Sequence, residues 1–392
     1  MLKQTFDRDT LAKSLSKKDV WKWNLWINES EQNSKLIELE KNILAKNGTI
    51  DELQIGKHRG KNTYQTSTVE DALSIRILDL HLRKIYKVKQ SDRHLIIKQL
   101  KTLLLDNGDY IILRLDIQSC YENINFKKIF HKISNDMLLS PQSLNLIGSV
   151  IDWCHINNVD GLPRGLSISP TLMELYLEKL DKDISISDGV IFSNRYVDDY
   201  IVLIEKGKEE LVEEMIRQNL SAIGLEFNTG SNKYYCNESR SAEFVYLGYA
   251  FKVGYKKNKV NDVSLTISNE KINKIKSKVI SSFIDFKITS DFRLLNQRLN
   301  YLMCIRSVKE HENGNLLGGI SYSYKFVTDS FECLRVIDGF YSRLVNSKRF
   351  SFSPSQKSVL LKKSFYGSVK NSKKATFTMA KTKKITKVWK NA

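Results

Sequence analysis

A chain of 392 residues, 41% of them hydrophobic, is long enough for two or three domains, and only four prolines argue against extensive disorder. Lys and Arg (62) outnumber Asp and Glu (44), and the resulting formal net charge of +18 favours a polyanionic partner. The sequence has no apolar run long enough to predict a membrane span, and its N-terminus lacks the apolar core of a signal peptide. The five cysteines are scattered and suggest neither a metal site nor disulfides. We therefore expect a cytoplasmic protein without a membrane partner.

The N-terminal residues 1–60 have a helical pattern and are predicted to form a helical extension. Apolar residues recur from Ser30 to Ala45 at the spacing of an amphipathic helix. Three tryptophans precede this segment and favour packing in a core over stacking on nucleic-acid bases; they are Trp21, Trp23 and Trp26. Another helix is predicted from about Thr68, because Thr is a good N-cap residue.

Three aspartates follow or interrupt strand-like segments. Residues 111–117 form an apolar strand pattern that reaches Asp116, and Asp198 and Asp199 lie between two further apolar segments that predict a hairpin. A solvated hairpin turn is the alternative interpretation, because Asp is a common turn residue. The third carboxylate favours a magnesium site instead, since two such ions need oxygen ligands that converge from different segments.

Helical and loop segments surround these strands. Gly161 to Gly165 is a loop punctuated by Pro and Gly. Ser169 and Pro170 predict the start of a helix, with Ser169 as the N-cap and Pro170 at the first helical position. An amphipathic helix is predicted from Glu209 to Ile223, and the helical pattern returns from Ser268 onward.

Five segments occur in an order that resembles the motifs of reverse transcriptases. They are Asp116–Tyr121, Gly161–Pro170, Tyr196–Asp199, Gly224–Asn228 with Lys233 behind it, and Phe244–Tyr249. The third looks like the family's Tyr-x-Asp-Asp box, and the first like its metal motif, an Asp followed five residues later by an aromatic residue. Each motif alone is weakly specific, whereas the ordered set is very specific.

The resemblance implies an α+β fold, namely a right-hand polymerase. Its parts would be an N-terminal helical extension (1–60), fingers and palm built of an antiparallel sheet with helices (61–260), a helical thumb (261–345) and a basic C-terminal nucleic-acid-binding tail (346–392).

The resemblance also implies a site for two Mg²⁺ ions. Asp116 and Asp198 would be metal ligands, with Asp199 as a weaker ligand and the main-chain carbonyl of Ile117 nearby. The three aspartates and Lys233 would be the catalytic residues. Lys233 would act as a general acid toward the leaving pyrophosphate, and ordinary surface charge is the alternative.

A nucleotide site is implied beside the metals. Tyr121 would lie under the sugar, where its ring would clash with a ribose 2′-hydroxyl and so favour deoxynucleotides. Gly165 would let the backbone approach the template base closely, and Arg164, where many relatives have Gln, would bring charge near the nucleotide. Lys89 and Arg93 are candidates for holding the triphosphate, because a compact polyanion needs fixed positive charge; a solvated helix face is the alternative.

The primer and template would be held by later segments. Tyr246, Leu247 and Gly248 would form a turn near the primer end. From Arg343 to residue 392 the chain has fourteen Lys or Arg and no Asp or Glu, which favours contact with nucleic acid. Aromatic residues interleaved in this basic segment are candidates for base stacking, and a folded basic cap whose aromatics belong to a core is the alternative. These aromatics are Phe350, Phe352, Phe365, Tyr366, Phe377 and Trp389.

The function that the resemblance implies is RNA-directed DNA synthesis from dNTPs on an RNA template. Within the family, the chain looks most like the short bacterial defence-associated enzymes of the unknown group. Segment 319–324 and the Lys-rich end carry this likeness. Within that group, the resemblance points to the smaller reverse transcriptase of the type 3 defence system, which works with a second reverse transcriptase and a noncoding RNA.

Other functions stay open at this point. Retron-type and group II intron-like reverse transcriptases, RNA-dependent RNA polymerases and a catalytically silent RNA-binding scaffold are the alternatives. The aromatic Tyr121 argues against an RNA polymerase, and the presence of all three aspartates argues against a silent scaffold.

Overall fold

The computed structural model describes residues 3–58, 60–106, 108–230, 233–255, 261–309 and 316–389. It divides into two compact units: unit 1 is Met1–Asp92 with Tyr110–Asn237, and unit 2 is Arg93–Asp109 with Glu238–Ala392. The domain boundaries predicted after residues 60, 260 and 345 stay predictions, and residues 390–392 of the predicted tail lie outside the described residues.

Helices occur throughout the described residues. They are α1 Arg8–Ser14, α2 Lys17–Trp23, α3 Glu29–Lys46, α4 Val69–Ile85, α5 Arg93–Leu104, α6 Cys120–Asn123, α7 Phe126–Asn135, α8 Pro141–Ile156, α9 Ser169–Ser185, α10 Glu209–Ala222, α11 Asn269–Thr289, α12 Phe292–Met303, α13 Ile320–Ser323, α14 Arg335–Asn346, α15 Pro354–Leu361, α16 Phe365–Lys370 and α17 Met379–Thr386.

The strands of the described residues are β1 Leu53–His58, β2 Lys61–Thr66, β3 Tyr110–Asp116, β4 Val190–Tyr196, β5 Asp199–Glu205, β6 Tyr235–Glu238, β7 Glu243–Tyr246, β8 Tyr249–Tyr255, β9 Asn261–Ile267, β10 Arg306–Lys309 and β11 Leu316–Gly318. The strand pairs β1–β2, β3–β5, β4–β5, β7–β8, β8–β9 and β10–β11 are all antiparallel. Together with the helices, they confirm the predicted combination of helices and antiparallel sheet.

Unit 1 is built around a sheet with the strand order β4-β5-β3-β6. Strands β3 and β5 are almost entirely buried, which explains why their sequences are nearly continuous apolar runs. Helices α3, α4, α8 and α9 contribute to the same hydrophobic core, and the partly buried Trp23 packs against it, whereas Trp21 exposes 56% of its surface. The buried strands of this sheet therefore carry the predicted aspartates at or next to their ends.

Two helix starts tested the capping predictions. At α4 the side chain of Thr68 accepts a hydrogen bond from the Asp71 amide, as predicted. At α9 the predicted N-cap was wrong, because Ser169 is already helical and Ile168 is the N-cap. The Ser169 hydroxyl instead donates to the carbonyl of Pro163 at 2.7 Å, so it anchors the preceding loop to the helix.

Unit 2 contains the antiparallel sheet β7-β8-β9 and the helices from α11 onward. The aromatic residues of the basic C-terminal segment line the core of this unit, where Phe365 and Trp389 are buried and the others are partly buried. The indole nitrogen of Trp389 donates to the Lys278 carbonyl at 2.9 Å. Phe365 and Trp389 therefore belong to a core, as the alternative of a folded basic cap expects, and base stacking by the partly buried aromatics stays a prediction.

None of the helices in the described part of the chain is both long enough and apolar enough to cross a membrane.

Candidate active site

The three predicted aspartates lie together at one end of the sheet of unit 1. Asp116 is the last residue of β3 and lies opposite Asp199, the first residue of β5. Asp198 occupies the two-residue turn between β4 and β5. Oxygen atoms of the three carboxylates lie within 4.8 Å of one another, and Asp116 is only 5% exposed. This geometry suits a divalent cation, because carboxylate oxygens are hard ligands that converge here from two segments.

The turn that carries Asp198 is held by its neighbours. Val197 has a φ of +63°, which is uncommon for a β-branched residue and indicates that surrounding contacts fix the turn. The Ile117 amide donates to the carbonyl of Asp198 at 3.0 Å. The guanidinium of Arg195, 4% exposed, donates to the carbonyl of Val197 at 2.8 Å.

Arg195 is itself fixed by two carboxylates of α9. It contacts Glu174 at 2.6 Å and both carboxylate oxygens of Asp181, at 2.6 and 2.9 Å. Sequence reasoning missed all three residues. The available signal was an Arg inside an apolar strand, together with two acidic residues seven positions apart, which places them on one face of a helix.

The carboxylates repel one another in this partly buried site. Burial raises the pKa of Asp198, and the charge of Asp116 raises it further. Burial also raises the pKa of Asp199, against the opposing effect of Arg114, whose guanidinium lies 3.6 Å from that carboxylate. A site that crowds negative charge in this way attracts cations.

Lys233, the predicted general acid, forms a hydrogen bond with Asp116. The ammonium of Lys233 is 2.6 Å from Oδ1 of Asp116. Desolvation disfavours the charged ammonium, but the hydrogen bond and the charge of Asp116 outweigh it and raise the pKa of Lys233. The structure thus keeps a protonated amine beside the carboxylate cluster.

The loop from Gly161 to Gly165 lies against the segment that follows β3. The amide of Leu162 donates to the carbonyl of Tyr121 at 2.7 Å. Gly161 has a φ of +69°, and a Cβ there would lie 2.0 Å from that same carbonyl oxygen, so only glycine fits. Arg164 forms two hydrogen bonds with Glu122 and covers the ring of Tyr121, with 4.5 Å between the guanidinium carbon and the ring centroid. Sequence reasoning did not identify Glu122.

Gly165 approaches protein backbone in this structure. Its φ is +104°, and a Cβ would lie 2.7 Å from the carbonyl oxygen of Tyr64 in β2. The amide of Tyr64 donates to the carbonyl of Arg164 at 2.6 Å. The close approach that the glycine permits is therefore to the β1–β2 hairpin, and its predicted contact with a template base stays a prediction.

A comparison with protein families agrees with this geometry. The family model described as reverse transcriptase (RNA-dependent DNA polymerase) matches residues 36–251. The chain belongs to the reverse transcriptase family. It is an RNA-directed DNA polymerase, and family membership implies the use of divalent metal ions, an RNA template, dNTPs and a DNA product. None of the curated proteins is similar enough to this reverse transcriptase to count as a match.

The two triphosphate candidates differ in their surroundings. Lys89 is exposed in the segment that follows α4. Arg93 belongs to unit 2, where its guanidinium donates to the carbonyls of Leu247 and Ser323 and lies 5.1 Å from the rings of both Tyr249 and Tyr324. The triphosphate roles of Lys89 and Arg93 stay predictions. The contacts of Arg93 show that it also stabilises a turn of unit 2.

That turn is the one predicted to hold the primer end. Tyr246 ends β7 and is fully buried, and the chain turns at Leu247 and Gly248, which have φ values of +47° and +80°. Arg93 donates to the carbonyl of Leu247 at 2.6 and 3.0 Å, which fixes the unusual conformation of that residue. The primer contact itself stays a prediction.

A substitution of Lys233 tests whether its ammonium takes part in the reaction. We expect Lys233→Met to lower single-nucleotide incorporation by about 10²-fold, because general acid catalysis typically contributes 10²–10⁴-fold. Rapid-quench measurement on a primed RNA template gives the rate. Lys41→Met, which removes an exposed lysine of α3, is the matched control. Equal rates for the Lys233 variant and the control would show that Lys233 is only a surface charge.

Proposed function

We propose that this reverse transcriptase synthesises DNA with two Mg²⁺ ions held by Asp116, Asp198 and Asp199, with the main-chain carbonyl of Ile117 nearby. The observation that carries the proposal is the convergence of the three carboxylates within 4.8 Å. The donor set fits the ions, because magnesium prefers a few carboxylate oxygens and completes its shell with water and phosphate oxygens. When bound, such ions activate the primer 3′-hydroxyl and neutralise the charge of the leaving pyrophosphate.

The residues of the chain would supply position and electrostatics. The antiparallel pairing of β3 with β5 sets Asp116 opposite Asp199, and Arg195 fixes the turn that presents Asp198. Lys233 would hold a proton beside Asp116 until the pyrophosphate leaves. Groups held in place in this way lower the activation barrier of nucleotide transfer, because they need no rearrangement during the reaction.

The biological setting is a further part of the proposal. We infer a bacterial, cytoplasmic enzyme of antiphage defence that copies a dedicated noncoding RNA, with a second reverse transcriptase as a partner. The support is the likeness of the sequence to short defence-associated enzymes and its net charge of +18, which suits a stably bound RNA. In the same proposal, the N-terminal extension is 1–60, the fingers and palm are 61–260 and the thumb is 261–345. The basic C-terminal segment 346–392, called the basic cap below, binds nucleic acid.

The nucleic acid that accompanies the protein tests this function. The protein is purified from a bacterial host with its bound nucleic acid, incubated with Mg²⁺ and each dNTP, and the nucleic acid is sequenced. One abundant structured RNA that is copied into DNA would support the proposal. Heterogeneous RNA without DNA synthesis would contradict it and would favour an RNA-binding scaffold.

The basic cap calls for substitution rather than deletion, because its aromatic residues belong to the core of unit 2. Lys373, Lys374 and Lys381 are exposed. We expect their joint replacement by Gln to weaken RNA binding and to make the slope of log K against log salt shallower by about 0.7 for each lost phosphate contact. Filter binding at several salt concentrations measures both quantities.

The matched control for the cap is a triple replacement by Gln at exposed lysines of the N-terminal helices, Lys13, Lys18 and Lys41. It removes the same formal charge from the protein. If both triple variants change the affinity and the salt slope equally, the cap has no special role in binding RNA.

A further inference from the structure

Arg164 joins a side-chain cluster beside the carboxylates. Its Nε and Nη2 donate to the two carboxylate oxygens of Glu122 at 2.8 and 3.0 Å. The same guanidinium covers the ring of Tyr121, 4.5 Å from the centroid. A planar guanidinium is suited to this double contact, because its edge binds a carboxylate while its face stacks on an aromatic ring.

Main-chain contacts also join the two segments that carry this cluster. The carbonyl of Tyr121 accepts a hydrogen bond from the Leu162 amide, and Gly161 packs directly on it. The segment after β3 and the 161–165 loop are thus joined twice, once through backbone and once through the ion pair of Glu122 with Arg164. Because the guanidinium lies over the Tyr121 ring while two hydrogen bonds hold it to Glu122, the pair limits movement of the ring toward Arg164.

The ring shares its surroundings with the catalytic carboxylates. Burial raises the pKa of Tyr121 to about 12, and Asp198 is among the charges that act on its hydroxyl. The charges of Arg164 and Asp198 also act on each other. Asp116 ends β3, and Tyr121 lies five residues later in the short helix α6.

We propose that the ion pair of Glu122 and Arg164 fixes the Tyr121 ring in the orientation that excludes a ribose 2′-hydroxyl, and thereby sets the preference for deoxyribonucleotides over ribonucleotides. This inference rests on the proposed function, since it assumes that the sugar of the incoming nucleotide lies at Tyr121. Glu122 and Arg164 are positioning residues, because they act through the ring. Excluding a ribose 2′-hydroxyl requires the Tyr121 ring to stay in one orientation, because a ring that can rotate leaves space for that hydroxyl.

The test is single-nucleotide incorporation by the full chain on an RNA template with a DNA primer, with dCTP and CTP as paired substrates. The measured quantity is the ratio of kcat/KM for dCTP to kcat/KM for CTP. We expect Arg164→Gln and Glu122→Gln each to lower this ratio by about tenfold or more, through a rise in kcat/KM for CTP. A gain of ribonucleotide incorporation is a readout that general damage to the fold would not produce.

Three further variants make the test specific. Arg164→Lys keeps the charge but cannot stack and pair at once, so it should also lower the ratio. Lys61→Gln removes the other cation near Glu122, 3.2 Å away, without touching Tyr121, and should leave the ratio unchanged. The double variant with Gln at both 122 and 164 should lower the ratio no further than either single variant, because both changes break the same pair.

The outcomes separate this inference from the proposed function. If Tyr121→Ala admits CTP while the Arg164 and Glu122 variants keep the wild-type ratio, the inference is overturned and the proposed function stands. If the wild type incorporates neither substrate, the proposed function fails, and equilibrium binding of dCTP and CTP with Mg²⁺ by calorimetry decides the inference. A preference for dCTP that Arg164→Gln abolishes would support it, and equal binding of the two nucleotides by the wild type would overturn it.

Discussion

The Asp198→Asn variant is expected to lose magnesium-dependent nucleotide incorporation by at least about 10³-fold, since it removes a charged oxygen from the carboxylate cluster that we propose as the magnesium site. Asn keeps the size of the side chain and one oxygen, so the turn between β4 and β5 can keep its geometry. The rate is measured by primer extension with a labelled primer across a range of Mg²⁺ concentrations.

Two measurements show that the loss is chemical and not a failure to fold. Asp188→Asn makes the same substitution at a side chain that is 89% exposed and should retain the wild-type rate. In metal-free buffer, Asp198→Asn should unfold at the same temperature as the wild type or higher, because it removes one of three crowded negative charges. Wild-type incorporation by Asp198→Asn would remove this residue from the catalytic site.

The second large effect is expected on stability, from Arg195→Met. Arg195 is 4% exposed and pairs with Glu174, which is 12% exposed, and with Asp181. Its removal takes the guanidinium donor away from Glu174 and from the Val197 carbonyl, and leaves Asp181 with the Tyr200 hydroxyl as a donor. Breaking a buried ion pair from one side typically costs about 3–5 kcal/mol. We expect a corresponding fall in the free energy of unfolding of unit 1, together with loss of incorporation because the turn of Asp198 loses its support.

Urea denaturation followed by circular dichroism measures this change. Arg217→Met is the matched control, because Arg217 is 52% exposed and pairs with Glu213 on the surface of α10, where a pair contributes about 1 kcal/mol or less. Equal unfolding midpoints for the two variants would mean that the Arg195 network does not stabilise the unit.

The carboxylate cluster could be predicted from the sequence because its signals are local. An apolar run that ends on Asp116 and a hairpin that turns at Asp198 place carboxylates at strand ends, and sheet pairing brings strand ends together. The Thr68 cap was also readable, since its partner is three residues away. The mixed fold followed from the same periodic patterns and from the order of the motifs.

The supporting contacts could not be predicted, because they depend on tertiary packing. The partners of Arg195 lie on α9, and the spacing of residues along the chain does not show that this helix crosses the strand at that point. The pair of Glu122 with Arg164 joins residues forty-two positions apart. Composition alone could not separate aromatics that stack on bases from those that fill a core, as Phe365 and Trp389 do.

The discontinuity of unit 2 has a consequence for the order of folding during synthesis. Helix α5 buries Ile96, Ile97, Leu100 and Leu104, yet the rest of its unit begins only at Glu238. At about 5–20 residues per second, α5 leaves the ribosome about 8 to 30 seconds before the strand β9 that it packs against. During that interval its apolar face has no native partner from its own unit, so the nascent chain passes through a stage at which α5 is open to chaperone binding or to aggregation.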